Sequence, residues 1–322
     1  MTTPRHSFEA LAPEMGLTVD PVRRMYSYSD RYSEVVYRDL LTYSDKTNNA
    51  HPTDGYSTSL LAVFTRGLDD PVDRYIYAGY VSTKYKFIGN DAVNQSIRES
   101  ITKVGTPIIA ENTLFYNAYT RMRNEILIRN SHNVYEVGNI IPVMVVENSY
   151  NGTKKASVSF GLAIEGEKIR GRLIFKFRLG EMSQVHIRSS KTNVDAAIQS
   201  YIQVFKNDIL DMIKFSFEKK ITEESLFDIL GFIEKISKKK RDDISKYLSE
   251  ITPKPQEGQP PVLPSAWDMF LAIAMFSTME SNLNIKRILE DAAESCLVIP
   301  ERMSKVLAKL EKQDIEEWYY FL

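Results

Sequence analysis

The chain has 322 residues, 41 Lys and Arg against 42 Asp and Glu, 43% hydrophobic residues and one cysteine. That length gives room for about two domains with a full core, and the aromatic content excludes global disorder. One cysteine excludes a disulfide scaffold or a multi-cysteine metal cluster, near-neutral charge gives no overall pull toward nucleic acid or membrane, and no apolar run approaches the roughly 18 residues that span a bilayer.

The opening Met-Thr-Thr-Pro-Arg-His-Ser carries no apolar stretch of the secretory kind, so a soluble intracellular protein is expected. Residues 1–59, rich in Ser, Thr, Tyr, Asp and Asn, read as an irregular N-terminal arm with one or two short elements. His51-Pro52 and Asp54-Gly55 are turn signals within it. After an apolar run at 60–64, the β-branched and aromatic stretch 74–88 favours strand. Asn90 or Asp91 then caps a helix with Val93, Ile97 and Ile101 on one face, stopped at Gly105-Thr106-Pro107.

From 112 to 190 the hydrophobic period becomes two, with strands expected at 123–129, 140–147, 156–164 and 171–178. Asn151-Gly152 and Glu165-Gly166 supply hairpin turns, so 60–191 reads as an antiparallel sheet domain with one helix. A helical extension follows over 192–251. Its first helix carries Ile198, Tyr201, Ile202, Phe205, Ile209, Met212 and Ile213; others open at Thr222 and cover 244–251. Five prolines make 252–264 a linker. Ser265 caps an apolar helix containing Trp267 and Phe270, and two more helices, separated near Pro300, complete 265–322. The expected fold class is α+β: an antiparallel sheet in the N-terminal and middle part, followed by an all-helical C-terminal part.

Chemistry-bearing motifs are few. His6, His51, His132 and His186 have no metal-ligand spacing, and Cys296 sits beside Leu297 and Val298 as a buried, inert thiol. No Gly-x-Ser-x-Gly elbow, phosphate loop or dinucleotide fingerprint occurs. No enzyme activity, cofactor or metal is expected.

The clearest pattern is Arg170-Gly-Arg172-Leu-Ile-Phe-Lys176-Phe-Arg178. Alternation along a strand puts Arg170, Arg172, Lys176 and Arg178 on one face, and Leu173, Phe175, Phe177 and Leu179 on the other. Lys154, Lys155 and Lys168 precede this stretch, Arg188 and Lys191 follow it, and Arg121, Arg123 and Arg129 lie on an earlier strand. An outward cationic row fits a phosphate backbone, with Tyr116, Tyr119 and Tyr135 as stacking surfaces for unpaired bases. An ordinary solvated sheet face explains the same row. The basic cluster 235–241 suits the negative end of a helix.

The chain ends Asp314-Ile-Glu-Glu-Trp-Tyr-Tyr-Phe-Leu322, acids before an aromatic tip. It resembles the partner-recruiting tails of bacterial single-stranded-DNA-binding proteins, which makes Trp318, Tyr319, Tyr320 and Phe321 candidate partner-binding residues. A last helix packing Trp318, Phe321 and Leu322 on the domain is the other reading.

Two segments carry a family resemblance. Asn148-Ser-Tyr-Asn-Gly-Thr153 is similar to an Asn-Ser-His-Asp-Gly-Ser turn, and Ser265-Ala-Trp-Asp-Met-Phe270 is similar to a Thr-x-Trp/Tyr-Asp-x-x-Asn-Ala helix. Both motifs belong to phage- and plasmid-encoded proteins with a shared domain of unknown function, and the match covers about 75–293. Leu271 and Met275 stand where that family has Asn and Thr, and its Arg-x-x-Cys-x-Asn strand is missing. The resemblance implies a mobile-element protein of the bacterial host cytoplasm, with no catalytic residues to carry over. The leading expectation is a phage-type nucleic-acid-binding protein, for single-stranded DNA binding or annealing in replication or recombination. It would act as a homo-oligomer, with a protein partner at its tail and no membrane contact. A virion or assembly protein working through protein contacts is the alternative, and an enzyme or inhibitor of host defence acting on a nucleotide a third.

Overall fold

In the computed structural model the described residues are 12–20, 25–30, 33–41, 56–68, 74–82, 87, 89–116, 119–134, 137–152, 156–166, 169, 171–177, 182–184, 191–222, 236–255, 257, 260 and 262–316. Period-two segments pair into two antiparallel sheets, and the 3.6-period segments after them form helices, so the fold is α+β. The first sheet is a meander of β1 (Thr18–Asp20), β2 (Met25–Ser29), β3 (Ser33–Leu41), β4 (Tyr56–Gly67) and β5 (Ile76–Ser82) in that order. The second runs β11 (Arg172–Lys176), β10 (Ala156–Glu165), β9 (Gly138–Ser149), β7 (Arg121–Ile128), β6 (Ile108–Tyr116). Short β12 (Met182–Gln184) adds to β10, and β8 (His132–Val134) to β9.

Residues 1–59 are thus not an irregular arm: their described part holds β1, β2, β3 and the start of β4. Met25-Tyr-Ser-Tyr-Ser29 alternates as a half-buried strand does, with serine taking the place that charge usually fills on the wet face. Tyr26, Tyr37, Leu61, Val63 and Val81 form this sheet's own small core.

Between the sheets lies α1 (Asn90–Lys103), burying Val93, Ile97 and Ile101 as expected. Its N-cap is Gly89, with no side-chain cap; the Asn90 amide, expected to cap, instead accepts a 3.0 Å hydrogen bond from Asn148 Nδ2. The strands at 123–129, 140–147, 156–164 and 171–178 appear as β7, β9, β10 and β11 within a few residues; β6, β8 and β12 are additional. The helices are α2 (Lys191–Glu218), α3 (Lys238–Ile251), α4 (Ala266–Met279), α5 (Leu283–Cys296) and α6 (Glu301–Glu316). The helix expected to open at Thr222 lies almost wholly outside the described residues, as does the aromatic tip with Trp318, Tyr319, Tyr320 and Phe321.

The main core joins one face of the second sheet to the helices: Phe160, Leu173, Phe175 and Phe177 meet Tyr201, Phe205, Trp267 and Phe270. Phe175 and Phe270 cross edge-on at 4.9 Å, and burying each such ring contributes about 1.5–3 kcal/mol. Ser265 closes a full capping box with Asp268, which fixes where α4 begins and contributes about 1 kcal/mol. Cys296 is 2% exposed and burial pushes its thiol up to about 12, so it is the inert core thiol expected.

The two sheets are tied by the Asn148–Gly152 turn. Gly152 takes the left-handed φ of 71° that a tight hairpin requires, which brings Tyr150 and Asn151 onto the N-terminal sheet. Tyr150 is fully buried; its hydroxyl donates to Asp30 Oδ2 at 2.6 Å and its carbonyl accepts from the Tyr37 hydroxyl at 2.8 Å. Its ring stacks on Phe87 at 5.5 Å. Asn151 Nδ2 donates to the Ala78 carbonyl at 2.9 Å. Burial, and then the charge of Asp30, hold the Tyr150 hydroxyl well above the ordinary phenol range, so it stays a donor at every physiological pH.

Candidate functional site

Among the described residues, most of the cations expected to face solvent are buried or ion-paired. Lys176 is 8% exposed, and its Nζ reaches diagonally over β10 to Glu147 Oε2 on β9 at 2.8 Å. The residue opposite it on β10 is Gly161, which leaves the lysine stem room to lie flat. Arg123 is 1% exposed, with Nε on Glu125 Oε1 at 2.9 Å and Nη1 on Glu290 Oε1, from α5, at 3.0 Å. Arg121 lies 3.8 Å from the other oxygen of Glu147. Arg172, the most exposed of the four, is paired with Glu165 across the β10–β11 hairpin. Arg170, Arg178, Lys154, Lys155 and Arg188 lie outside the described residues, as does Lys168.

Electrostatics explain the arrangement. Burial alone would weaken the charge on Arg123, but Glu290, Glu125 and Glu147 outweigh it and hold the guanidinium more firmly protonated than in water. Lys286, 3% exposed on α5, donates to the Ser277 carbonyl at 3.1 Å, and its pKa is lowered by burial and then by repulsion from Arg123. Three cations thus pair with three carboxylates inside a sheet–helix contact, and the fourth, Lys286, is held by a backbone carbonyl. Phosphates would have to displace acids that are already seated. Among the described residues, no group of three His, Cys, Asp or Glu is placed to hold a metal ion. The expected stacking tyrosines are also engaged: Tyr116 is half-buried, and Tyr119 packs on Phe115 at 5.5 Å. Tyr135 lies outside the described residues.

A different surface carries free aromatic and cationic groups, the outer face of the N-terminal sheet. Tyr77 and Tyr80 are three residues apart, so a regular strand would point them to opposite faces. In β5 the register shifts: Val63 pairs Gly79 but Phe64 pairs Tyr77, leaving Ala78 as an extra, bulged residue. Gly79 at φ 120° makes the bulge, a backbone conformation other residues avoid. The consequence is that Tyr77 (56% exposed) and Tyr80 (62%) stand on one face, about 7 Å apart along the strand.

Their neighbours suit a platform. Phe64 sits edge-on beneath Tyr77 at 5.7 Å, and Tyr80 belongs to the cross-strand row Arg38–Ala62–Tyr80. Tyr75, 44% exposed, receives the Arg66 guanidinium 5.2 Å from its ring centre, while Arg66 also binds Glu34 at 2.6 Å. Arg38 and Arg74 are exposed, and among the described residues neither has an ion-pair partner. Sequence reading missed this face because its parity depends on the bulge. The signal available was Gly79 between two aromatics in a strand-like stretch.

Among the described residues no helix is long and apolar enough to cross a membrane. Comparison with known protein families, curated proteins and solved structures finds no match for this chain.

Proposed function

We propose that the protein binds single-stranded nucleic acid, without sequence readout, on the outer face of its N-terminal sheet. The carrying observation is that the β5 bulge brings two exposed tyrosines onto one face, with Arg38 in the same cross-strand row as Tyr80. Base–aromatic stacking tolerates any sequence and is worth about 1–3 kcal/mol per base, and Arg38 supplies a phosphate contact. The resemblance to phage and plasmid proteins supports a role in replication or recombination of a mobile element. The buried cations of the second sheet take no part. Their work is internal pairing.

The test is fluorescence polarisation with a labelled oligothymidylate. Tyr77→Ala with Tyr80→Ala is expected to weaken binding about 30- to 900-fold, since each lost stack removes on the order of 1–2 kcal/mol. Arg38→Gln should flatten the salt dependence by about 0.7 in log–log slope, the value of one phosphate contact on single strands. Unchanged affinity in the tyrosine variant overturns the reading.

The same exposed tyrosines favour the assembly reading, because tyrosine is enriched in protein interfaces. Sedimentation separates the two. An oligomer that dissolves on loss of Tyr77 and Tyr80, in a protein with no oligonucleotide affinity, would mark a virion or assembly protein.

A further inference from the structure

A second surface feature owes nothing to the tyrosine face. A cleft of about 660 Å³ runs along α2, walled by the end of α1 and by the first turns of α6. On α2 its floor is the stripe Gln199, Ser200, Gln203, Lys206, whose spacing of one, three and three keeps them on one side of the helix. Val104 and Thr106 close one end, and Arg302 with Val306 line the α6 wall.

The cleft is polarised. Lys103 at the end of α1 pairs with Asp195, one helical turn before Gln199, which fixes the hydroxyl-and-valine end. Arg302 Nε lies 3.7 Å from Asp208, two residues beyond Lys206, which sets Arg302 level with Lys206 along α2 but against a different side of the helix, about 15 Å from the other end. Both lining cations therefore stand at one end, and no lining residue is acidic. The nearest acids are already committed: Asp208 to Arg302, Asp195 to Lys103 and Glu301 to Lys305. Arg302 retains free N–H donors, because a guanidinium carries five.

The lining side chains are also unclaimed. Among the described residues, Gln199, Ser200, Gln203, Lys206 and Thr106 make no side-chain hydrogen bond or ion pair. A volume of this size is in the range of small-ligand sites. A hydrocarbon chain would leave the two amides facing apolar atoms, whereas a heterocycle or sugar offers them partners.

The geometry points to a binding site for a phosphate monoester on a polar, ring-bearing body, the chemistry of a nucleotide: phosphate at Lys206 and Arg302, body along Gln203, Ser200 and Gln199. This chemistry has two sources, a free mononucleotide and the 5′-phosphorylated end of a strand.

Calorimetric titration of the full chain with adenosine 5′-monophosphate, adenosine and inorganic phosphate tests the proposal. The nucleotide is expected to bind at least tenfold more tightly than either fragment. Lys206→Glu and Arg302→Glu should each weaken it at least tenfold, and Lys206→Glu, at an exposed position, reads the site without disturbing the Arg302–Asp208 pair. Tyr77→Ala with Tyr80→Ala should leave it unchanged, so failure here and failure of the tyrosine face are read separately. In that tyrosine variant, 5′-phosphorylated and 5′-hydroxyl oligonucleotides assign the source: a preference for the phosphorylated end supports a strand terminus, and equal weak binding beside tight nucleotide binding supports the free nucleotide. No heat from the nucleotide at millimolar concentration, or binding that survives both charge reversals, overturns the site.

Discussion

Replacing Arg123 by Met is expected to destabilise the protein by about 3–5 kcal/mol, the cost of leaving buried charges without their partner. Arg123 is flanked by Glu125 and Glu290 at hydrogen-bond distance, with Glu147 opposite it in the β7–β9 register. The methionine keeps most of the volume, so cavity formation is a minor part of the loss. Glu125 and Glu290 would lose their ion-pair partner, because Lys176 and Arg121 pair with Glu147 and Lys286 donates to the Ser277 carbonyl. Urea unfolding at pH 7.5 reads the effect directly. Replacing the partners as well, with Glu125→Leu and Glu290→Leu, should recover most of the stability, because an apolar substitute for a whole buried network is often neutral. A loss below 1 kcal/mol for Arg123→Met would show that the network contributes little.

Tyr150→Ala should have a comparable cost, about 3–5 kcal/mol for a buried aromatic, and a more local consequence. The side chain joins the second sheet to Asp30 and Phe87, and the backbone carbonyl receives Tyr37 from β3. Without it Asp30 loses a charge-assisted hydrogen bond, and the N-terminal sheet loses the centre of its small core. Limited proteolysis of the variant is expected to degrade the N-terminal sheet first, while the helical part stays protected. Tyr150→Phe isolates the hydroxyl, with an expected loss of about 1–3 kcal/mol. Equal protease resistance of variant and wild type would mean that the sheets are joined by other contacts.

These two residues also show what the sequence can disclose. The turn at 148–153 is visible because Asn-Gly between two alternating runs has one geometric use, and the structure places it between β9 and β10 as expected. Its second task, docking the N-terminal sheet, is invisible, because Asp30 and Tyr37 are more than a hundred positions away. The helices were legible from Ser265 onward because cap, period and the break at Pro300 all agree. The cationic row illustrates the limit of strand parity. Alternation correctly assigns Arg172 and Lys176 to the face opposite Leu173, Phe175 and Phe177. It says nothing about which acids share that face, and Glu147 and Glu290 come from other elements. A closer look at Arg121-Met-Arg-Asn-Glu125 offers a hint, since two cations and an acid at the same parity suggest a salt-bridged ladder rather than a phosphate track. The first three strands were lost to composition. Ser- and Tyr-rich segments lack the aliphatic alternation on which strand reading depends, yet Tyr26 and Tyr37 serve the sheet as core residues.

Photocrosslinking tests the tyrosine face most directly. An oligodeoxynucleotide carrying 5-iodouracil at successive positions would be irradiated with the full-length protein, digested and mapped by mass spectrometry. The expected adducts fall on Tyr77 and Tyr80, with weaker labelling of Tyr75. Adducts confined to the strands that carry Arg121, Arg123 and Lys176, or no adduct with β5 despite measurable binding, would contradict the account.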